Sequence, residues 1–151
     1  MACMAYVDLN PIRAKMAKTP EQSDYTSAKK RIREAQQTPP ETHTPYQPRT
    51  LCPFVGYPRE PMPQGLPYRL SDYLELLDWT ERMIRDGKRG AIPGHTPKIL
   101  SRLNIGTKNW LHSAQHFERS FKLFAGKLAS VKAACEALGY QRIPKVGALL
   151  T

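Results

Sequence analysis

The sequence is poor in cysteine and has no long hydrophobic run. Its three cysteines, Cys3, Cys52 and Cys135, are widely spaced, odd in number and never arranged as C-x-x-C. Such a set argues against both a disulfide framework and a zinc knuckle. No apolar run approaches the length of a membrane span, and the first residues lack the features of a signal peptide. We therefore expect a protein of the reducing cytoplasm with no membrane partner.

Acidic residues are scarce relative to basic ones. The chain has 23 Lys and Arg against 13 Asp and Glu, which gives a formal net charge of +10 at pH 7. This balance favours nucleic acid or another polyanion as a partner. Eight basic and two acidic residues lie from position 101 onwards, so a surface for a phosphate backbone is reasonable there. At 151 residues, the chain has room for one ordinary domain or two very small ones.

Prolines divide the chain into three segments, because they are concentrated between residues 38 and 67. Each proline lacks an amide donor and fixes its own φ angle, so neither a helix nor a central strand persists there. We predict a mainly α fold with a tyrosine-helix segment and a basic helix in 1–37, a Pro-rich linker in 38–67 and a helical bundle in 68–151. Apolar residues of the linker that offer a docking contact are Leu51, Phe54, Val55 and Tyr57.

The C-terminal segment shows helical periodicity. Ser71 is predicted to open a helix whose buried face carries Tyr73, Leu77, Thr80 and Ile84. Thr107 is predicted to cap a second helix with an apolar stripe, which is more typical of a core than of base stacking. The stripe consists of Trp110, Ala114, Phe117, Phe121 and Phe124.

A last helix is predicted from about Leu128 to Leu138. Its expected buried face carries Val131, Ala134, Cys135 and Leu138. The run from Ser130 to Val146 combines small residues, a Leu-Gly pair and a basic segment, as many helix-turn-helix units do. A small duplex-binding regulator is therefore one alternative function.

The stretch "AYVDLNPIRAKMA", residues 5–17, allows two local interpretations. In the structural one, Asn10 caps a helix and Pro11 takes its first position, where a missing amide costs nothing. In the functional one, Tyr6 and Asn10 lie one turn apart on the same helix face and present a phenol and an amide oxygen to one site. Pro11 then kinks that helix by removing a backbone hydrogen bond.

The same region resembles the tyrosine helix of the single-tyrosine HUH transposases, in the branch of the REP-associated tyrosine transposases. The resemblance covers residues 2 to about 33, and its elements occur in the family's order. They are Tyr6, Val7, Asn10-Pro11, Ile12, Arg13, Ala14, Pro20-Glu21 and Tyr25 to Ser27. The run that begins "LPYRLSDYLELL" is similar to a C-terminal extension of some bacterial members.

This resemblance implies a DNA strand-transfer chemistry. Tyr6 matches the nucleophile, which attacks a phosphodiester of single-stranded or hairpin DNA and becomes joined to the 5′ phosphate while a 3′ hydroxyl is freed. Asn10 matches a position where some relatives hold an amide near the metal. The full-length parent is expected to use Mg²⁺ or Mn²⁺ as a Lewis acid, to work in the nucleoid-associated cytoplasm of a bacterium and to form a monomer or homodimer.

The chain departs from the family at the metal ligands. Relatives hold the ion with a His-hydrophobic-His pair upstream of the tyrosine, whereas His43, His95, His112 and His116 form no such pair. His112 and His116 lie one turn apart, but with no evident acidic third ligand they are expected to be surface histidines. We therefore expect the C-terminal part of a transposase, with no metal or cofactor of its own and no nuclease activity alone.

Basic residues near the tyrosine are the candidates for phosphate contacts. They are Arg13, Lys15, Lys29, Lys30, Arg31 and Arg33. Ser23 is predicted to cap the helix that carries the last four of them. A non-catalytic basic helical module, which binds DNA or docks on a partner protein, is the main alternative to the transposase fragment.

Overall fold

The computed structural model describes residues 1–58, 63–85, 95–121 and 128–141, and there it confirms a mainly α fold. A 3₁₀ turn spans Pro20–Gln22. The α-helices of these ranges are α1 (Ala2–Asp8), α2 (Asn10–Arg13), α3 (Ser27–Gln36), α4 (Leu70–Arg85), α5 (Lys98–Arg102), α6 (Thr107–Ser120) and α7 (Leu128–Ala137). The same ranges hold no strand beyond one isolated bridge between Phe54 and Leu66. None of their helices is both long enough and apolar enough to cross a bilayer.

The first two helices are nearly continuous and are separated by Leu9. Because Pro11 has no amide proton, one helical hydrogen bond is missing at this point. Helical hydrogen bonding resumes two residues later, where the Arg13 amide donates to the Leu9 carbonyl at 3.0 Å. The capping interpretation of Asn10 is wrong: Leu9 is the cap residue, and Asn10 is the first residue of α2 and makes no capping hydrogen bond.

α3 is held at its start by two side chains. The hydroxyl of Thr26 accepts a hydrogen bond from the Lys29 amide at 3.2 Å, so Thr26 is the cap instead of Ser23. Ser23 is buried and donates to the Thr19 carbonyl. The second side chain is that of Asp8, which is buried and accepts from the Ala28 amide at 3.2 Å. A carboxylate is favourable at this end of a helix, where amide protons are left without partners.

The Pro-rich segment packs against the helices through Phe54. This ring is buried and stacks on Tyr73 with 5.2 Å between the ring centres. The Gln47 side chain bonds both backbone groups of Phe54, which links two parts of the segment to each other. Among the proposed docking residues, Val55 and Tyr57 are only partly covered, with 38% and 41% of their surface exposed.

One hydrophobic core joins parts of all three predicted segments. It contains buried residues from α1, α2, α3, α4, α5 and α6, together with Phe54. The predicted face of α4 is largely confirmed, because Tyr73, Leu77 and Thr80 are fully buried. The division into domains stays a prediction, whereas the core itself crosses its boundaries.

α6 packs its apolar stripe inwards and is kinked at His116. Trp110, Ala114 and Phe121 are buried, and the Trp110 indole donates to the Thr80 hydroxyl at 2.9 Å. The helix begins at Thr107 with Gly106 as its cap residue, so the predicted threonine cap is wrong. Phe124 lies outside the described residues.

α7 buries part of its predicted face. Val131 and Cys135 are buried, but Leu138 is 64% exposed, so its place on the buried face was wrong. Gly139 follows with a φ of +70°, a left-handed conformation that suits glycine after a helix. The second part of the helix-turn-helix-like run, from residue 142 onwards, lies outside the described residues.

Candidate active site

Tyr6 lies on the face of α1 that packs against α6. Its side chain is half-buried, and the ring centre lies 6.0 Å from that of Phe117. The hydroxyl donates to Oε2 of Glu118 at 3.1 Å. The prediction that Tyr6 lies on a helix is therefore confirmed. Its contact with Glu118 on α6 was not predicted from the sequence.

Arg13 stacks on the ring of Tyr6. Its guanidinium carbon lies 3.8 Å from the centre of the phenol ring. One terminal nitrogen donates to the carbonyls of Tyr6 and Ala114, at 2.9 and 2.8 Å, and the other donates to Oδ1 of Asn10 at 3.0 Å. Burial lowers the pKa of Arg13, but an arginine keeps its proton in a protein. Arg13 therefore brings a fixed positive charge to the tyrosine and links α1, α2 and α6.

A shallow polar cleft of about 250 Å³ opens beside the Tyr6 hydroxyl. Its lining residues are Tyr6, Gln115, His116, Glu118 and Arg119. Slight desolvation, and after it the neighbouring His112, Arg119 and Arg13 side chains, lower the pKa of His116 below its usual 6.5. The imidazole is therefore mainly neutral at pH 7 and is able to accept a proton.

The described residues do not complete a site for a divalent ion. No three His, Cys, Asp or Glu side chains come together in these parts of the chain. The rings of His112 and His116 lie 5.1 Å apart, and Nε2 of His112 lies 3.1 Å from the Ser120 hydroxyl. The amide oxygen of Asn10 accepts a hydrogen bond from Arg13. The two histidines are exposed, as the sequence predicted.

The arrangement at Tyr6 suits attack on a phosphate ester. The hydrogen bond to Glu118 gives the phenol proton a path to a carboxylate as the oxygen becomes a nucleophile. Arg13 and Arg119 supply positive charge near the same point, which offsets charge on a bound phosphate. A phenol, a proton acceptor and the Arg119 cation therefore line one cleft, and Arg13 stacks on the phenol ring beside it.

Five of the six predicted phosphate contacts lie at three places in the structure, and the sixth is an exception. Arg13 stacks on the Tyr6 ring, whereas Lys29, Lys30 and Arg33 lie together along an open face of α3. Lys15 is exposed just after α2, with a φ of +59°.

Arg31 is the exception. Only 3% of its surface is exposed, and one terminal nitrogen donates to the Cys52 carbonyl at 3.0 Å. Its guanidinium carbon lies 4.7 Å from the centre of the Phe54 ring. Arg31 therefore supports the Pro-rich segment, and its assignment as a phosphate contact is wrong.

Besides Gln115, three residues of the cleft were not predicted from the sequence as neighbours of Tyr6. His116, Glu118 and Arg119 lie near the end of α6, more than 100 positions after Tyr6. Helical periodicity places residues on a face of their own helix, but it does not show which other helix lies against that face. No local motif marks Glu118 as a partner of Tyr6.

The chain was compared with protein-family models, with curated proteins and with solved structures. None of the three comparisons finds a match.

Proposed function

We propose that the chain carries the nucleophile helix of a DNA strand transferase of the single-tyrosine HUH kind. The observation that carries this proposal is the Tyr6 hydroxyl, which meets the Glu118 carboxylate at the edge of a cleft lined with positive and proton-accepting groups. The order of Tyr6, Asn10 and Pro11 in the sequence supports it. The partner is single-stranded or hairpin DNA in the nucleoid-associated cytoplasm of a bacterium, bound by a monomer or a homodimer.

The reaction forms one phosphorus–oxygen bond and breaks another. The Tyr6 oxygen attacks phosphorus, and its proton passes to Oε2 of Glu118. The bond from phosphorus to the 3′ oxygen breaks, and that oxygen takes up a proton from the cleft or from water. The products are a 5′-phosphotyrosine and a free 3′ hydroxyl, and attack by a new 3′ hydroxyl reverses the sequence.

A divalent ion supplies Lewis-acid charge to the phosphate in the family that the chain resembles. Its histidine pair has to come from residues outside these 151, because the sequence contains no His-hydrophobic-His pair. Asn10 is the residue of this chain that the resemblance places near the ion, after release from Arg13. The isolated chain is accordingly expected to have no nuclease activity.

The test begins with the DNA upstream of the Met1 codon, translated in all three frames. A strand-like segment with His-hydrophobic-His is expected there. The joined reading frame is then expressed and incubated with Mn²⁺ and a pool of single-stranded oligonucleotides labelled at their 3′ ends. Label that stays on the protein in a denaturing gel reports the covalent phosphotyrosine. Tyr6→Phe is expected to abolish it, since phenylalanine lacks the attacking oxygen.

Glu118→Gln is the matched test of the proton acceptor. Glutamine keeps the size of the side chain but accepts a proton poorly, so adduct formation should slow by roughly 10²–10⁴-fold at neutral pH. Tyr57→Phe, which removes a phenol outside the cleft, should leave the rate unchanged. Absence of the upstream histidine pair, or an adduct that survives Tyr6→Phe, would contradict the proposal.

A non-catalytic basic module is the second candidate function. The observation that favours it is the packing of Tyr6, whose ring is enclosed by Arg13 and Phe117 as a structural aromatic residue would be. Such a module predicts DNA binding without adduct in the joined reading frame as well as in the isolated chain.

A further inference from the structure

A groove runs along α3 between Tyr25 and the Pro-rich segment. Two neighbouring clefts, of about 620 and 300 Å³, both have Lys30 in their lining, and we call the two together the α3 groove. Its lining residues are Tyr25, Thr26, Lys29, Lys30, Arg33, Glu34, Tyr46, Gln47, Pro48, Arg49 and Thr50. None of them lines the Tyr6 cleft.

The α3 groove carries an excess of positive charge. Four of its lining residues are cations and only Glu34 is an acid. Lys29 is paired with the exposed Asp24, and Lys30 donates to the Thr50 hydroxyl at 2.6 Å. Lys29 and Arg33 are one helical turn apart and follow the axis of α3, so their charges form a row and not a single point. A row of cations suits a chain of phosphates.

Tyr25 stands at one end of this row with a fully exposed ring. Its φ is +61°, a left-handed conformation that a bulky side chain rarely adopts and that Asn or Gly adopts readily. No packing of the ring within the protein offsets this strain. Residues with strained backbone conformations are enriched at ligand-binding sites.

Tyr46 belongs to the Pro-rich segment, lines the larger of the two clefts and is 47% exposed. Its amide donates to the Thr38 hydroxyl at 2.7 Å, and the next residue, Gln47, bonds the backbone of Phe54. Two aromatic rings therefore flank the cations of the groove, and the wall that carries one of them is tied to the core. Aromatic rings beside a charged track are the usual means of holding unpaired bases.

We propose that the α3 groove binds a single strand of DNA, with Tyr25 and Tyr46 stacking on bases while Lys29, Lys30, Arg33 and Arg49 contact phosphates. The choice of DNA rests on the proposed function, whereas the single-strand preference comes from the groove itself. A duplex keeps its bases stacked inside, so it offers the two rings no free base face.

The experiment measures binding of the whole chain to three labelled probes by fluorescence anisotropy. The probes are a short single strand, its blunt duplex and a strand of the same length made of abasic sites, which keeps the phosphates but has no bases. We expect the single strand to bind most tightly. Tyr25→Asn, which keeps the left-handed backbone, and Tyr46→Ala should each weaken single-strand binding about tenfold and leave abasic binding unchanged.

Charge variants separate the phosphate contacts from stacking. Replacing Lys30 and Arg33 by Ala should weaken binding to all three probes. It should also reduce the slope of log affinity against log salt by about 1.4, or about 0.7 for each lost contact. Tyr25→Phe should bind like the unmodified chain, because it keeps the ring. Tyr140→Ala and Lys98→Ala, which alter residues outside the groove, serve as matched controls and should change nothing.

The proposal is overturned if the duplex binds as tightly as the single strand, or if Tyr25→Asn and Tyr46→Ala leave single-strand binding unchanged. Equal weakening on the abasic strand would also overturn it, because the rings would then not act on bases. The anisotropy assay measures reversible binding by the whole chain without a divalent ion, so it does not depend on formation of the phosphotyrosine. A failure of the covalent chemistry is therefore distinguishable from a failure of the α3 groove.

Discussion

At the scale of single residues, hydrogen bonds to carboxylates set the behaviour of several tyrosines. Tyr6 donates to Glu118, Tyr57 to Asp72 and Tyr73 to Asp8. Burial, followed by the effect of Asp8, raises the pKa of the Tyr73 phenol, so the phenol keeps its proton. Each of these phenols is tied to an acid that is distant in the sequence.

Tyr57 gives a prediction that depends on pH. Burial and the hydrogen bond to Asp72 raise its pKa from 10.0 to about 12. Above pH 10 the unfolded chain therefore loses a proton that the folded chain keeps, so stability should fall as pH rises from 10 to about 12. The ultraviolet titration of the native chain minus that of Tyr57→Phe should have its midpoint near 12.

The same difference curve in denaturant is the control, and its midpoint should return to about 10. A native midpoint that stays at the denatured value would show that Asp72 and burial do not act on Tyr57.

The sequence identified the basic cluster of α3, but the prediction that Arg31 lies on its exposed face was wrong. Ala28, Arg31 and Ala35 are spaced as one helix face, and that face turns towards Phe54 and the core. Lys29, Lys30 and Arg33 point to the other side. Composition alone does not distinguish them, because a cation is expected at the surface and Arg31 is a buried exception.

At the scale of elements, Asp8 joins α1 to α3 and α4. Its carboxylate accepts from the Ser27 hydroxyl at 2.9 Å, the Ala28 amide at 3.2 Å and the Tyr73 hydroxyl at 2.6 Å. Asp8→Asn places an amide NH₂ among these donors. Because buried donors lose their acceptor, the unfolding free energy measured by urea denaturation should fall by roughly 1–3 kcal/mol.

Asp24→Asn is the matched control for this substitution. Asp24 is an exposed carboxylate that pairs with Lys29 just before α3. Its replacement should change stability by no more than about 0.5 kcal/mol. If the two variants lose the same stability, the junction at Asp8 does not hold the three helices together.

Most helices could be predicted from the sequence, but their ends were less reliable. The periodicity of α4 and α6 identifies their buried faces because both helices lie against one core. Caps were misassigned at Asn10, Ser23 and Thr107, since several polar residues near each start are chemically able to cap. Which of them does so depends on the local backbone path, and that path is fixed by tertiary contacts.

At the scale of the whole molecule, the Pro-rich segment belongs to the folded core. Phe54→Ala removes a buried ring that touches both Tyr73 and Arg31. It should cost about 3–5 kcal/mol. Because the core crosses the predicted boundaries, unfolding followed by tryptophan fluorescence and by circular dichroism should show one coincident transition.

Val55→Ala is the control, because Val55 is 38% exposed beside the same ring. It should have little effect on stability. Two separate transitions, or an effect of Phe54→Ala no larger than that of Val55→Ala, would indicate a segment that is not part of the core.

Only the part of the candidate site that depends on nearby residues in the sequence could be predicted. Tyr6 is found from a motif that lies within 30 residues, whereas its partners on α6 depend on packing between the first and the last parts of the described core. The α3 groove likewise combines a helix with a loop that the sequence marked only as proline-rich.

The buried carboxylate of Asp8 also fixes the angular setting of the tyrosine. A helix turns by about 100° per residue, so Tyr6 and Asp8, two positions apart, point in nearly opposite directions around the axis of α1. With Asp8 locked towards α3 and α4, Tyr6 is aimed at α6. One residue inserted at Val7 would swing the phenol by about 100° away from Glu118. The spacing of Tyr6 and Asp8 in the sequence therefore allows a single orientation of the Tyr6 side chain while Asp8 stays buried.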